Sequence, residues 1–456
     1  MQYLTIWDLL LTPIYLMVLS FFAKRHRDKK YPPGHPLRKY YMPGLYAKFA
    51  GAIFIALIYQ YYYHGGDTYN YYLHSKIINS SLDDSFTTWV QLLLHTSVDK
   101  NPHLYQYVSQ MEWYNETSAY TVAVFGAIFG LFNATSYMPI ALLFAFFAYT
   151  GIWAMFKTFV NLYPALYKQL AIAFLFIPST LVWGSAMFKD TICMFGLGWM
   201  TYSTFRIFVN RDLSFRNILL LILSFYLTAI IKLYILLAFI PALFLWLLMT
   251  YSKKIKSIGV RWIINLLFAG ITVTGFLFLS NKFAKELDQY SLQNISQTST
   301  STRGWIMYAT GDEGSTYDLG PIDGSIGGML KKFPQGIVVT LFRPFPWEIK
   351  KVIVGLSALE AMVFAYFTLK LFFNRRSKLS LFMKDPTVLF CLIYSVIFAF
   401  AIGISSGNFG ALSRYKIPCL PFYGAFLMIS MSYYKTKKKK SQSKRLKNIP
   451  AFARTL

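Results

Sequence analysis

Seven charged residues stand where an otherwise apolar chain makes charge expensive: Asp67, Lys189, Asp190, Lys232, Arg343, Arg414 and Lys416. A carboxylate within hydrogen-bond reach of a hydroxyl can take its proton. Ammonium and guanidinium groups stabilise negative charge building on a departing phosphate, an effect acting mainly in the transition state. One acid opposed by several cations therefore suits a substrate that carries a phosphate and meets a neutral hydroxyl acceptor.

The surroundings of each charge sharpen this. Asp67 lies in His64-Gly65-Gly66-Asp67-Thr68-Tyr69-Asn70-Tyr71, directly after an apolar run over 49–63 that ends in Tyr59, Tyr61, Tyr62 and Tyr63. Such a run reads as a membrane helix finishing in an interfacial aromatic belt, and two glycines let the backbone turn sharply and approach a ligand. The plainer alternative is a helix end with tyrosine anchors and a solvated Asp67. Lys189-Asp190 interrupts two apolar stretches, where a mid-bilayer charge costs about 2.5–3.5 kcal/mol on insertion scales; the alternative is a hairpin turn with a local ion pair. Lys232 is the only charge between 217 and 251, and a snorkelling lysine is its plain reading. In Arg343-Pro344-Phe345-Pro346-Trp347-Glu348 two prolines preclude a continuous helix, and the rigid arginine suits bidentate phosphate binding. Arg414 and Lys416 precede the last apolar run. Trp113, Tyr114, Trp305, Tyr308 and Tyr317 are rings that could stack on sugars, or pack within their loops.

These residues need elements to hold them. The 456 residues are 55% hydrophobic and only 14% charged, against roughly a quarter charged in soluble proteins, so the chain reads as a membrane protein. Its net charge of +26 sits in short segments between apolar runs, which follows the positive-inside rule and argues against nucleic acid. Spans are expected at 4–22, 47–63, 137–157, 166–184, 187–208, 217–231, 233–251, 262–280, 352–372, 386–404 and 416–434, with 120–132 interfacial or re-entrant. The fold class is thus an all-α polytopic membrane protein of about 11 transmembrane helices, one domain over 1–434, with a basic cytoplasmic tail over 435–456. Basic clusters then share the cytoplasmic side, and the N-terminus lies outside. The two long loops, 64–136 and 281–351, lie outside too and hold most of the 19 acidic residues. Cys193, Cys391 and Cys419 are scattered and suggest neither a disulfide framework nor a metal site. There is no phosphate-binding loop and no dinucleotide fingerprint.

An acidic residue soon after a membrane helix, a proline-rich span end followed by a polar residue, and Arg414-Tyr415-Lys416-Ile417-Pro418 before a final span together resemble the GT-C superfamily. Gly66-Asp67-Thr68-Tyr69-Asn70-Tyr71 is also similar to a short segment of exopolysaccharide polymerases of the EpsG and Wzy kind. The resemblance implies glycosyl transfer from a polyprenyl-phosphate-linked sugar to a glycan acceptor, in the lipid of a bacterial-type cytoplasmic membrane. It makes Asp67 the catalytic acidic residue, Asp190 a second acidic residue of the site, and Arg414 a contact to the lipid-linked phosphate. Lys189, Lys232, Arg343 and Lys416 would join in holding that phosphate, with His64, Tyr69, Asn70, Trp347 and Glu348 contacting sugar or acceptor. No cofactor is required by this reading, but a divalent cation between Asp67 and Asp190 stays open. Rival expectations are a flippase or transporter of lipid-linked glycans and a non-catalytic envelope assembly component.

Overall fold

Apolar runs interrupted by proline, glycine and charge become helices of very unequal length. The structure, a computed structural model, describes residues 3–252, 315–320, 326–373 and 384–447, together with positions 257, 259, 270, 301, 304 and 308. The described residues are helical apart from turns, with one isolated antiparallel bridge between Thr316 and Asn408. Six helices are long and apolar enough to cross a membrane. The protein is thus helical and polytopic, with six such helices among the described residues beside the eleven spans expected. The span expected at 262–280, position 270 apart, lies outside the described residues, as do Trp305 and about half of the 281–351 loop.

The chain divides into two compact units. The first comprises Met1–Asn161, Phe174–Leu236 and Ser413–Pro418. It starts with α1 (Ile6–Lys30) and α2 (Arg38–Tyr61), each long enough to span. The exposed side of α1 carries Trp7, Leu9, Leu10, Met17, Phe21 and Phe22, apolar surface that hydrocarbon rather than water would cover. The 64–136 segment, expected as a polar loop, contains α3 (Asp67–Ser80), α4 (Phe86–Leu93), α5 (Tyr105–Val108) and α6 (Thr117–Gly130) around a core including Ile78, Trp89, Leu92, Leu104 and Tyr120. Its α6 has 14 residues, or about 21 Å at 1.5 Å per residue, short of the roughly 30 Å hydrocarbon thickness.

Next along the chain come α7 (Tyr137–Leu162), α8 (Tyr167–Leu175), α9 (Pro178–Trp183), α10 (Lys189–Phe208) and α11 (Phe215–Ser252), with α8 up to Ala173 and α11 from Leu237 belonging to the second unit. Asp8 reaches from α1 to accept a hydrogen bond from the Met138 backbone N–H at 2.8 Å, supplying an acceptor to one of the donors that the start of α7 leaves unpaired. The continuous span expected at 166–184 is instead two short helices. Pro178 disfavours helical backbone in Ile177, which is extended with φ −73° and ψ 121°. The expected pair 217–231 and 233–251 appears as α11, 38 residues long, whose helical backbone is interrupted at Lys232 (φ −151°, ψ 82°). Between α7 and α10 the packing is backbone to backbone. A Cβ added at Gly198 would collide with the Gly151 carbonyl, and one added at Gly151 with the Phe195 backbone.

The second unit comprises Leu162–Ala173, Leu237–Leu412 and Cys419–Leu456. It contains α12 (Ile326–Lys331), α13 (Phe333–Phe342), α14 (Val352–Phe372), α15 (Pro386–Ser406), the first part of α16 (Phe409–Tyr415), and α17 (Leu420–Lys447). Asp385 caps α15 through the Thr387 N–H at 2.9 Å and accepts the hydroxyls of Tyr163 and Tyr433 at 2.7 and 2.5 Å. The last span, expected from 416, begins at Leu420; the four residues before it form a turn that includes Pro418.

Candidate functional site

Asp67 is the first residue of α3, and the turn before it is built for a tight reversal. His64, Gly65 and Gly66 all have positive φ, at 55°, 145° and 120°. A Cβ at Gly66 would lie 2.9 Å from the Tyr59 ring, so this position needs glycine for both its dihedral and its space. Asp190 sits in the first turn of α10, after the extended Phe188, where the unpaired N–H groups of a helix start favour negative charge. Lys232 lies at the break in α11, and Arg414 near the end of α16.

These four side chains form one continuous network within the first unit. Lys232 Nζ donates to Asp190 Oδ1 at 2.5 Å, and Arg414 Nε donates to Asp190 Oδ2 at 2.7 Å. Arg414 Nη1 donates in turn to Asp67 Oδ2 at 2.6 Å. Asp190 is 0% exposed, whereas the Asp67 side chain is 46% exposed. The order is cation, anion, cation, anion, running from a sealed interior to an open end. Two charges of each sign compensate one another, which is the condition under which buried ions persist. Aromatic faces complete the setting. The Arg414 guanidinium lies 4.4 Å from the Phe188 ring centroid, and Lys232 Nζ 4.7 Å from that of Tyr415, both within cation–π range. Burial opposes the charge on Arg414, but the Asp190 and Asp67 carboxylates outweigh it and push the guanidinium pKa upward.

The remaining sequence candidates divide. Lys189, next to Asp190, pairs with Glu116 from the start of α6. Lys416 is fully buried in the same unit. His64 is exposed in the turn, and Asn70 is half-buried one helical turn beyond Asp67. Arg343 belongs to the second unit and is committed to Glu348, with its guanidinium 5.2 Å from the Phe409 ring centroid and 5.9 Å from that of Tyr317. Trp347 is exposed and stacks on Phe345 at 4.9 Å. Tyr69 lies in the interior. Its ring is fully buried and stacked on Tyr3 at 4.2 Å, and its hydroxyl donates to the Ala56 carbonyl at 2.9 Å. Residues two apart on a helix face nearly opposite ways, so a ring there turns into the core when Asp67 faces the network. The cation slot between the two carboxylates is filled by a guanidinium. Among the described residues no group of three or more His, Cys, Asp or Glu side chains could hold a metal ion, so the divalent-cation alternative has no ligand set there.

Three residues escaped the sequence reading. Glu116 is one of several acids in a polar stretch and shows its relevance only through Lys189. Tyr71 is buried with burial pushing its phenol pKa up; Arg414 works against that, and Asp67, Glu116 and Asp190 reinforce it. The available signal was spacing, since positions 67 and 71 share a helix face. Lys48 is fully buried on α2 and donates to the Thr180 and Gly184 carbonyls, both at 2.7 Å. It thereby satisfies carbonyls that the end of the short α9 leaves without partners.

No family model, curated protein or solved structure matches this chain.

Proposed function

We propose that this chain is a membrane glycosyltransferase or glycan polymerase, moving sugar from a polyprenyl-phosphate-linked donor to a hydroxyl acceptor at the outer face of a cytoplasmic membrane. The observation that carries the reading is the contact between Asp67, an open carboxylate, and Arg414, a cation anchored from behind by Asp190. In the reaction Asp67 takes the acceptor hydroxyl proton while that oxygen forms a bond to the anomeric carbon. The bond from that carbon to the phosphate oxygen breaks, and the phosphate leaves with the electron pair. Arg414 and Lys189 stabilise the charge it acquires, a contribution acting mainly in the transition state. Asp190 and Lys232 position Arg414 and do not meet substrate. Arg343 belongs to the second unit and has no part in this step.

In this reading the N-terminus and the 64–136 segment face outward and the basic C-terminus faces the cytoplasm; a reporter active only in the cytoplasm, fused at the C-terminus, should be active. Membranes supplied with lipid-linked donor should lose transfer in Asp67→Asn while the protein still accumulates. Undiminished turnover in that variant removes Asp67 from the mechanism.

A second reading, transport of lipid-linked glycans, draws on the interrupted α11 and the buried Lys232–Asp190 pair at the break, because transporters place ion pairs at broken helices. Labelled donor crossing proteoliposomes without a new glycosidic bond decides for it.

A further inference from the structure

Arg414 holds two carboxylates of unequal standing. The bond to Asp190 is 2.7 Å and the bond to Asp67 is 2.6 Å, so geometry alone does not separate them. Exposure does. Asp190 is 0% exposed and is also bound by Lys232, so releasing it strands a charge away from water at a large cost. Asp67 is 46% exposed and can exchange its guanidinium for water, which makes its pairing worth little, as for other solvent-reached ion pairs. Phe188 lies against the guanidinium at 4.4 Å, so the group stays in place when its outer partner leaves. A phosphate carries more charge and more acceptor oxygens than a carboxylate and is a strong partner for arginine.

We infer that Asp67 is the exchangeable partner of Arg414: a phosphate arriving at the membrane surface displaces the Asp67 carboxylate from the guanidinium, while Asp190 and Lys232 keep Arg414 where it is. No covalent bond changes in this step; one anion replaces another. Resting on the transferase reading, the exchange also couples the two halves of the reaction, because Asp67 is free to meet an acceptor hydroxyl only once a donor phosphate has taken its place. Asp67 is then a catalytic residue that also guards the empty site, and Asp190 and Lys232 are positioning residues.

The test is binding of farnesyl phosphate to the full-length purified protein in detergent micelles, with farnesol and inorganic phosphate as separate arms. Removing the competing carboxylate in Asp67→Asn should tighten farnesyl phosphate about fivefold and leave farnesol unchanged. Asp67→Ser should do the same, and the charge-preserving Asp67→Glu should bind as the parent does. Asp190→Asn should weaken binding. Tightening of inorganic phosphate alongside farnesyl phosphate identifies the phosphate itself as the ligand chemistry. Tightening confined to farnesyl phosphate places the site at a lipid headgroup. Unchanged or weaker farnesyl phosphate binding in both Asp67→Asn and Asp67→Ser overturns the exchange. The two proposals fail separately: loss of transfer in Asp67→Asn without tighter binding keeps the transferase and discards the exchange, tighter binding with full transfer keeps the exchange and removes Asp67 as the base, and tighter binding by a protein whose parent form transfers no sugar keeps the exchange and discards the transferase.

Discussion

Arg414 and Asp190, 224 positions apart in sequence, meet at 2.7 Å with the aspartate completely shielded from solvent. The contact is where the start of α10 and the end of α16 are fastened, and every other charge of the network is ordered by it.

Removing the shielded carboxylate strands two cations. Asp190→Asn is expected to lower stability by about 3–5 kcal/mol, whereas Asp67→Asn, at the open end, is expected to cost no more than about 1 kcal/mol. Thermal unfolding of the two purified variants in one detergent compares them directly, and equal losses would contradict the ordering from sealed to open.

Lys232 has a partner in Asp190 and a ring beneath it in Tyr415. Lys232→Met should destabilise the parent clearly and cost less in an Asp190→Asn background. The coupling in that double-mutant cycle should be on the order of 1–3 kcal/mol. A coupling near zero would mean that Lys232 acts through the helix break alone.

Lys48→Met keeps the apolar stem and removes two donors. The Thr180 and Gly184 carbonyls then lack their 2.7 Å partners, and a buried acceptor left unpaired costs about 1–3 kcal/mol. Protease sensitivity should rise around 176–185, where α8 and α9 are already separated, and mapping of the cleavage sites reads it.

The 64–136 segment carries a pH signature. Burial lowers the pKa of His95 below its ordinary 6.5, partly offset by its hydrogen bond to the Tyr114 carbonyl, and burial lowers that of His74 as well. The unfolded state then binds more protons than the folded one, so this contribution is fully present above about pH 6.5 and fades as pH falls below it. Hydrogen-exchange protection over 86–120, taken relative to the intrinsic exchange rate at each pH, should fall on acidification through that range. His95→Gln, which cannot charge, should flatten the response.

What could be read from residues alone was the list of costly charges. Lys189, Asp190 and Lys232 stand out because nothing apolar surrounds a charge without reason, and the break in α11 falls at the very lysine that separated two expected spans. Partner choice was not legible. Lys189 turns to Glu116 and Arg343 to Glu348, pairings decided by how helices far apart in sequence come together. Lys48 gave no hint because its ligands are carbonyls, which every residue has; only the interruption before Pro178 makes them available. The side on which Tyr69 falls was not legible either, because helical phase sends position 69 inward and keeps position 71 with Asp67.

The meeting of Gly151 and Gly198 has a reach beyond its own neighbourhood. Gly198 is eight residues along α10 from Asp190, about 12 Å at 1.5 Å per residue, and touches the opposing main chain with no side chain between. A single methyl inserted there works as a wedge beneath a rigid beam whose far tip carries the aspartate, so an uncharged, apolar change remote from every ion can retune the whole charge relay.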